Sequence, residues 1–259
     1  MTALITGASS GIGIELARLF ASDGYNLILV ARRTDKLNEL KAELESAFHI
    51  SVNVFTQDLT RPFAAKSVFD FTQIEKLSVD VLVNNAGFGD FALFAQCNLE
   101  KQQQMMQLNM VCLTELTYYF LPQMLERKSG RILNVASLAS FMPGPKMAVY
   151  YATKAYVRSF SEALHTELKK SGISVTALCP GPVKTAFWDV AEAGTSQKIA
   201  NTFFADSHSV AKCGYKNLMR GKALAIPGFS TKCSVFLTRL FPRSLIRKMV
   251  YAIGKYIGH

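Results

Sequence analysis

Residues 6–13 read TGASSGIG. They stand directly after a short apolar run, ALIT (3–6), and directly before a helical pattern over 12–22. Glycines at 7, 11 and 13 give a G-x-x-x-G-x-G spacing rather than the commoner G-x-G-x-x-G. The physics is the same in both. Glycine lets the chain turn tightly, lets the backbone approach a pyrophosphate, and leaves the N–H groups of the helix start to meet the phosphate charge. A plain glycine-rich turn would read alike in isolation, so the strand–loop–helix context carries the reading.

Working outward, that context repeats. Nearly continuous apolar runs recur as NLILVA (26–31), SVNVF (51–55), VDVLVN (79–84), RILNVAS (131–137) and ISVTALC (173–179). Short runs of this kind are expected of strands buried on both faces of a parallel sheet. Helical patterns separate them over 12–22, 35–47, 62–77 (with Pro62 at an N1-like position), 100–128 and 149–170. The alternation predicts an α/β, single-domain Rossmann fold. Its doubly wound parallel sheet has about seven strands, with AIPG (225–228) as the last, and helices on both faces. The domain is expected over 1–228, with a lid at about 183–210. A basic amphipathic C-terminal helical extension (229–259) packs on it. Ligands belong at the carboxyl ends of the strands.

The second strand ends in Ala31–Arg32–Arg33, with no acid. A site for NAD wants a carboxylate there, and one for NADP wants guanidinium groups for the 2′-phosphate. Arg32 and Arg33 therefore predict NADP(H) in preference to NAD(H), against the plainer alternative of two solvated surface charges. Other chemistries find little support. The four histidines and five cysteines of the 259 residues are scattered, with no metal-ligand spacing and no C-x-x-C, so no metal is expected. Cysteine usage of this kind fits reduced thiols. The opening MTALITG shows neither a basic nor an apolar leader region, and no run approaches a membrane span. A cytoplasmic location is the expectation.

Residues 149–154, VYYATK, place two tyrosines within a helical turn of Lys154. Both i,i+3 and i,i+4 neighbours share a helix face, so spacing leaves Tyr150 and Tyr151 equally open.

With TGASSGIG, the chain also carries Asp58–Leu59 after the third strand, NNAG (84–87), Asn109, Ser137, YxxxK and PGPVKT (180–185). In that order, over residues 1 to about 190, it resembles the short-chain dehydrogenase/reductase family. Beyond that, PGF…RLFPR looks like a bacterial subgroup of NADP-dependent reductases whose substrate it does not fix. The resemblance selects Tyr150, four residues before Lys154 and about a dozen after Ser137. It implies Asn109, Ser137, Tyr150 and Lys154 as the catalytic set. Gly7, Ser9, Ser10, Gly11, Ile12 and Gly13 would form the pyrophosphate turn. Asp58 and Leu59 would meet the adenine, and Asn85, Ala86 and Gly87 would pass the adenosine ribose. Pro180, Gly181, Val183 and Thr185 would line the nicotinamide carboxamide, and Tyr150 and Lys154 would also touch the cofactor. Asn109 would perturb the long helix so that a water links Lys154 to solvent.

Reduction of a carbonyl needs a hydride for carbon and a proton for oxygen. The Lys154 charge is expected to lower the Tyr150 phenol from about 10 by ~2–3 units, a differential of ~3–4 kcal/mol, toward the operating pH. Ser137 would donate to the carbonyl oxygen as it gains charge. Substrate-facing candidates are Ser137, Leu138, Ala139, Phe141, Met142, Met147, Phe187 and Trp188, with Phe203 and Phe204 behind them. Such a lining fits an apolar ketone, aldehyde or secondary alcohol. A 3-oxoacyl thioester reductase and a non-catalytic NADP-binding sensor on the same fold are the alternatives.

The formal net charge of +10 is concentrated: residues 209–259 hold ten Lys or Arg and no Asp or Glu. Pro242 divides the tail, and Leu245, Ile246, Met249, Val250, Ile253 and Ile257 form an apolar stripe beside Arg243, Arg247, Lys248 and Lys255. Docking on the domain is the favoured expectation, peripheral membrane contact the alternative, and no nucleic acid is expected. The family resemblance implies pairing through 100–128 and 149–170 and so a homodimer, with a tetramer as the other option.

Overall fold

The structure is a computed structural model and describes residues 1–185, 187, 191 and 204–257; for 253–257 it describes the backbone alone. Seven parallel strands form one sheet in the order β3-β2-β1-β4-β5-β6-β7. They are β1 (Thr2–Thr6), β2 (Asn26–Ala31), β3 (Val52–Thr56), β4 (Val81–Asn84), β5 (Gly130–Val135), β6 (Ile173–Leu178) and β7 (Leu224–Ala225). The helices are α1 (Gly11–Ser22), α2 (Thr34–Phe48), α3 (Ala64–Ile74), α4 (Leu99–Met106), α5 (Leu113–Glu126), α6 (Ala148–Glu167), α7 (Ser207–Met219), α8 (Phe229–Leu240) and α9 (Arg243–Ile257).

The apolar strands fold this way because each must bury both faces. In β1, Ala3 and Ile5 join a core with Leu16 and Phe20 of α1, Leu37 and Leu44 of α2, and Val210 and Leu218 of α7. Leu4, one residue out of phase, joins Val68 of α3 and Leu116, Phe120 and Met124 of α5 on the other face. Leu4 is in register with Ile28 of β2 and Leu82 of β4. Strand order reverses about β1 and β4, which opens a crevice at their carboxyl ends.

Two expected elements differ. The long helix 100–128 is interrupted by a π-helical segment, Gln107–Cys112, between α4 and α5. Pro62 does not start α3; it stands in the turn before it, and Phe63, with φ 61°, precedes the first helical residue. The turn is drawn in by Arg61 N–H donating to the Asp58 carbonyl and Ala64 N–H to that of Arg61. The tail divides at Pro242 into α8 and α9 as the sequence predicts. No helix among the described residues is long and apolar enough to cross a membrane.

Candidate active site

The crevice is a cavity of about 470 Å³ along the carboxyl edge of the sheet. Arg32, Arg33 and Asp58 line one end and Ser137, Tyr150 and Phe187 the other.

The glycine-rich turn joins β1 to α1. Gly7 has φ 65°, where a side chain is strained. At Gly13 the constraint is space, since a Cβ would lie 2.3 Å from the Gly7 carbonyl oxygen. The turn is braced from β4. Asn85 Nδ2 donates to the carbonyls of Thr6 and Gly7 at 2.9 and 3.1 Å. The Thr6 hydroxyl accepts from the N–H groups of Asn85 and Ala86, both at 3.0 Å, and donates to the Val83 carbonyl. Thr6 thus ties two loops together, a role the sequence reading missed although the residue opens the motif. Gly7, Ser9, Ser10, Gly11, Ile12, Asn85, Ala86 and Gly87 line the cavity, whereas Gly13 packs behind it.

Arg33 reaches back from the end of β2, and its Nη2 donates to the Ser9 carbonyl at 2.7 Å. Arg32 stands across from Asp58, whose carboxylate accepts from the N–H and hydroxyl of Thr60. Burial disfavours that carboxylate, but the Thr60 bonds and the charges of Arg32 and Arg61 outweigh it and hold the acid below its usual range. Leu59 and Thr60 complete this end.

At the other end α6 supplies Tyr150 and Lys154, one turn apart on the buried side of the helix. Lys154 Nζ donates to the Val135 carbonyl at 2.7 Å, and the ammonium lies 5.9 Å from the centre of the Tyr150 ring. Ser137, just past β5, lines the same end of the cavity as the phenol, and its hydroxyl accepts from the Ala139 N–H at 3.1 Å. Asn109 sits in the π-helical segment and is buried behind the cavity, not on its wall. Its amide oxygen accepts from Phe88 N–H at 3.2 Å. Its Nδ2 donates to the Phe88 carbonyl at 3.0 Å and the Thr153 hydroxyl at 3.1 Å. That hydroxyl donates to the Tyr150 carbonyl.

The protonation states differ from the expectation. Burial pushes the Tyr150 phenol up, opposed by the nearby Ser137 hydroxyl. Burial likewise pushes Lys154 down to about 8. Both changes have one cause: a dry pocket penalises whichever form is charged.

Ala139, Met142, Met147 and Phe187 line the wall around Tyr150, with Leu138, Phe88 and Tyr151, while Leu108 lines the cavity from the cluster that holds Leu59 and Ala86. The Phe187 and Tyr150 rings are 5.3 Å apart. Phe141 departs from expectation: it is absent from the wall, because the Arg158 guanidinium lies 4.4 Å over its ring and draws it to the other side of the turn. Pro180, Gly181, Val183 and Thr185 close the floor from the end of β6. Trp188 and Phe203, and most of the expected lid, lie outside the described residues. Phe88 and Leu108 were missed; their one signal was adjacency to NNAG and to Asn109.

A glycine-rich turn at the β1/β4 crevice, with a Ser–Tyr–Lys cluster on its far side, defines an oxidoreductase acting on CH–OH or C=O groups. Residues 1–196 match the family model described as short chain dehydrogenase. The chain belongs to that family. It is 36% identical over 204 residues to a serine 3-dehydrogenase of Rhizobium radiobacter, covering 78% of this chain and 80% of the relative. It is 33% identical over 227 residues to a very-long-chain 3-oxoacyl-CoA reductase of Phaeosphaeria nodorum, covering 77% of this chain and 66% of the relative. A short-chain dehydrogenase from Sphingobium yanoikuyae, solved in complex with NADPH, superposes with a TM-score of 0.82 at 32% identity, covering 92% of this chain and 93% of that one.

Proposed function

We propose that the protein reduces an apolar ketone or aldehyde with NADPH, or runs the reverse oxidation, with Tyr150 as general acid/base. The observation that carries this reading is the placement of Tyr150, Ser137 and Lys154 at the apolar end of a cavity whose other end holds Arg32 and Arg33. The residues fit a nicotinamide dinucleotide. The glycine turn lines the cavity with backbone at Gly7 and Gly11, and two guanidinium groups border the same end. When bound, that group supplies the hydride.

The chain supplies the rest. Arg32 and Arg33 would hold a 2′-phosphate, Gly7, Ser9, Ser10, Gly11 and Ile12 would receive the pyrophosphate, and Pro180, Gly181, Val183 and Thr185 would orient the carboxamide. Ser137 donates to the substrate oxygen, and Tyr150 delivers the proton to it. Burial keeps the phenol protonated, so Tyr150 carries the proton that the substrate oxygen receives in reduction. Asn109 positions the pair: through Thr153 it holds the backbone of Tyr150.

Around the reacting position the wall is Ala139, Met142, Met147, Tyr151 and Phe187, and the charged side chain there among the described residues is Lys154. That lining suits bulky apolar substituents better than an amino acid zwitterion, and a 3-oxoacyl thioester remains the second reading because its acyl chain is also apolar. We further propose a catalytic domain over 1–228 with a lid at about 183–210, an appended segment over 229–259, and a homodimer formed through α4, α5 and α6, whose Tyr118 and Tyr156 are exposed. NADPH consumption against aliphatic ketones, aromatic ketones, serine and 3-oxoacyl thioesters tests the substrate class. Turnover confined to serine or small sugars would remove the apolar reading. Tight NADPH binding with no turnover of any of them would favour a sensor.

A further inference from the structure

The helix α8 presents its apolar side to water. Phe229, Phe236 and Leu240, spaced seven and four residues apart, fall on one stripe of the helix. They are 82%, 60% and 62% exposed. The buried residues Thr231 and Val235 lie on the opposite side, and Thr231 stands against Gly181 at the floor of the cavity. This reverses the usual amphipathic order, in which the large apolar residues face the core. In α9, Ile246 is buried while Leu245 and Met249 are exposed, so the stripe expected to dock on the domain does so only in part.

Charge decides what can cover this face. Lys232, Arg239, Arg243, Arg247 and Lys248 are all exposed on the same two helices, within a segment, 209–259, that has ten basic residues and no acid. A second copy laid on the face would set these like charges against each other. An anionic lipid surface offers both complements, acyl chains for the Phe and Leu stripe and negative headgroups for the cations. We propose that α8 and α9 anchor the protein on anionic membranes, with Phe229, Phe236 and Leu240 entering the headgroup–acyl boundary. The cavity floor then lies one helix away from the lipid. The proposal does not depend on the substrate reading.

The test is sedimentation of the full chain with vesicles of phosphatidylcholine alone and with added phosphatidylglycerol. Pelleting with the anionic vesicles is expected, weaker by about tenfold or more on neutral vesicles or at high salt. Phe236→Ser/Leu240→Ser should lower partitioning by about tenfold or more while keeping the parent's melting transition, since both residues are exposed. Lys232→Gln/Arg239→Gln should weaken binding to anionic vesicles alone. A parent protein that stays in the supernatant with both vesicles overturns the proposal. So does unchanged pelleting of Phe236→Ser/Leu240→Ser. A third contrary result is a parent indifferent to vesicles whose mass by light scattering halves in that double variant; the face is then a subunit contact.

Discussion

Lys154 Nζ donates to the carbonyl oxygen of Val135 at 2.7 Å, joining the middle of α6 to the last residue of β5. The bond holds a buried ammonium beside Tyr150 even though burial pulls its pKa down to about 8. An amine whose folded value is depressed resists its charge in the native state. Below pH 8 both states are protonated and the native state bears the full penalty. Between about 8 and the unfolded value of 10.5 the unfolded chain binds more protons, so stability rises with pH. Lys154→Met should therefore be at least as stable as the parent at pH 7 and should flatten this rise, while activity falls by about 100-fold or more. Urea melts at pH 7 and 9.5 check it; loss of more than about 1 kcal/mol at pH 7 contradicts the burial argument.

The two tyrosines separate by substitution. Tyr150→Phe should lower kcat by about 10²–10⁴-fold, the usual range for a lost acid/base group. Tyr151→Phe keeps the ring that lies against Gly144 and lines the cavity, so kcat should change by less than about fivefold. Steady-state kinetics of both variants decide. The reverse ranking would move the proton transfer to Tyr151.

Arg32 and Arg33 should set the choice of coenzyme. Arg32→Ala/Arg33→Ala is expected to raise KM for NADPH by about 10–100-fold, the loss of charge-assisted phosphate bonds, and to leave that for NADH within about threefold. Equal losses for both coenzymes would mean that Arg33 acts mainly through its bond to the Ser9 carbonyl.

Asn109 is tested by its partners. Asn109→Ala leaves the Phe88 N–H and carbonyl without the bonds they make at 3.2 and 3.0 Å. A loss of roughly 1–3 kcal/mol is expected, with a fall in kcat because Tyr150 is held through Thr153. Thermal melts and kinetics read the two effects separately. A melt unchanged by the substitution would show that the π-helical segment forms without these bonds.

Gly13→Ala should be among the most damaging single-methyl changes in the chain. Its Cβ would meet the Gly7 carbonyl oxygen, a backbone atom that cannot swing aside. Destabilisation of roughly 1–3 kcal/mol and weaker NADPH binding are expected, by denaturant titration and fluorescence. Gly24→Ala is the contrast: no neighbour lies within 4 Å there, although φ is 76°.

The sequence by itself determined the sheet, the crevice and the residues brought to it. Runs such as ALIT and NLILVA have no polar face to leave in water, so they have to become buried parallel strands, and TGASSGIG between strand and helix places the turn at their carboxyl ends. Ordered motifs then bring Ser137, Tyr150, Lys154 and the glycine turn to one cavity. Tertiary structure alone decided the rest. Thr6 became a bracing hub because β4 passes beside β1. Phe141 left the wall because Arg158 lies over it. The Tyr150 phenol moved up rather than down because burial outweighs the opposing Ser137 hydroxyl. The apolar stripe of α8 faces water because Thr231 and Val235, on its other side, are what the domain receives. A pattern along the chain fixes which side chains share a face. Which neighbours meet that face, and how dry it becomes, depends on residues far away in sequence.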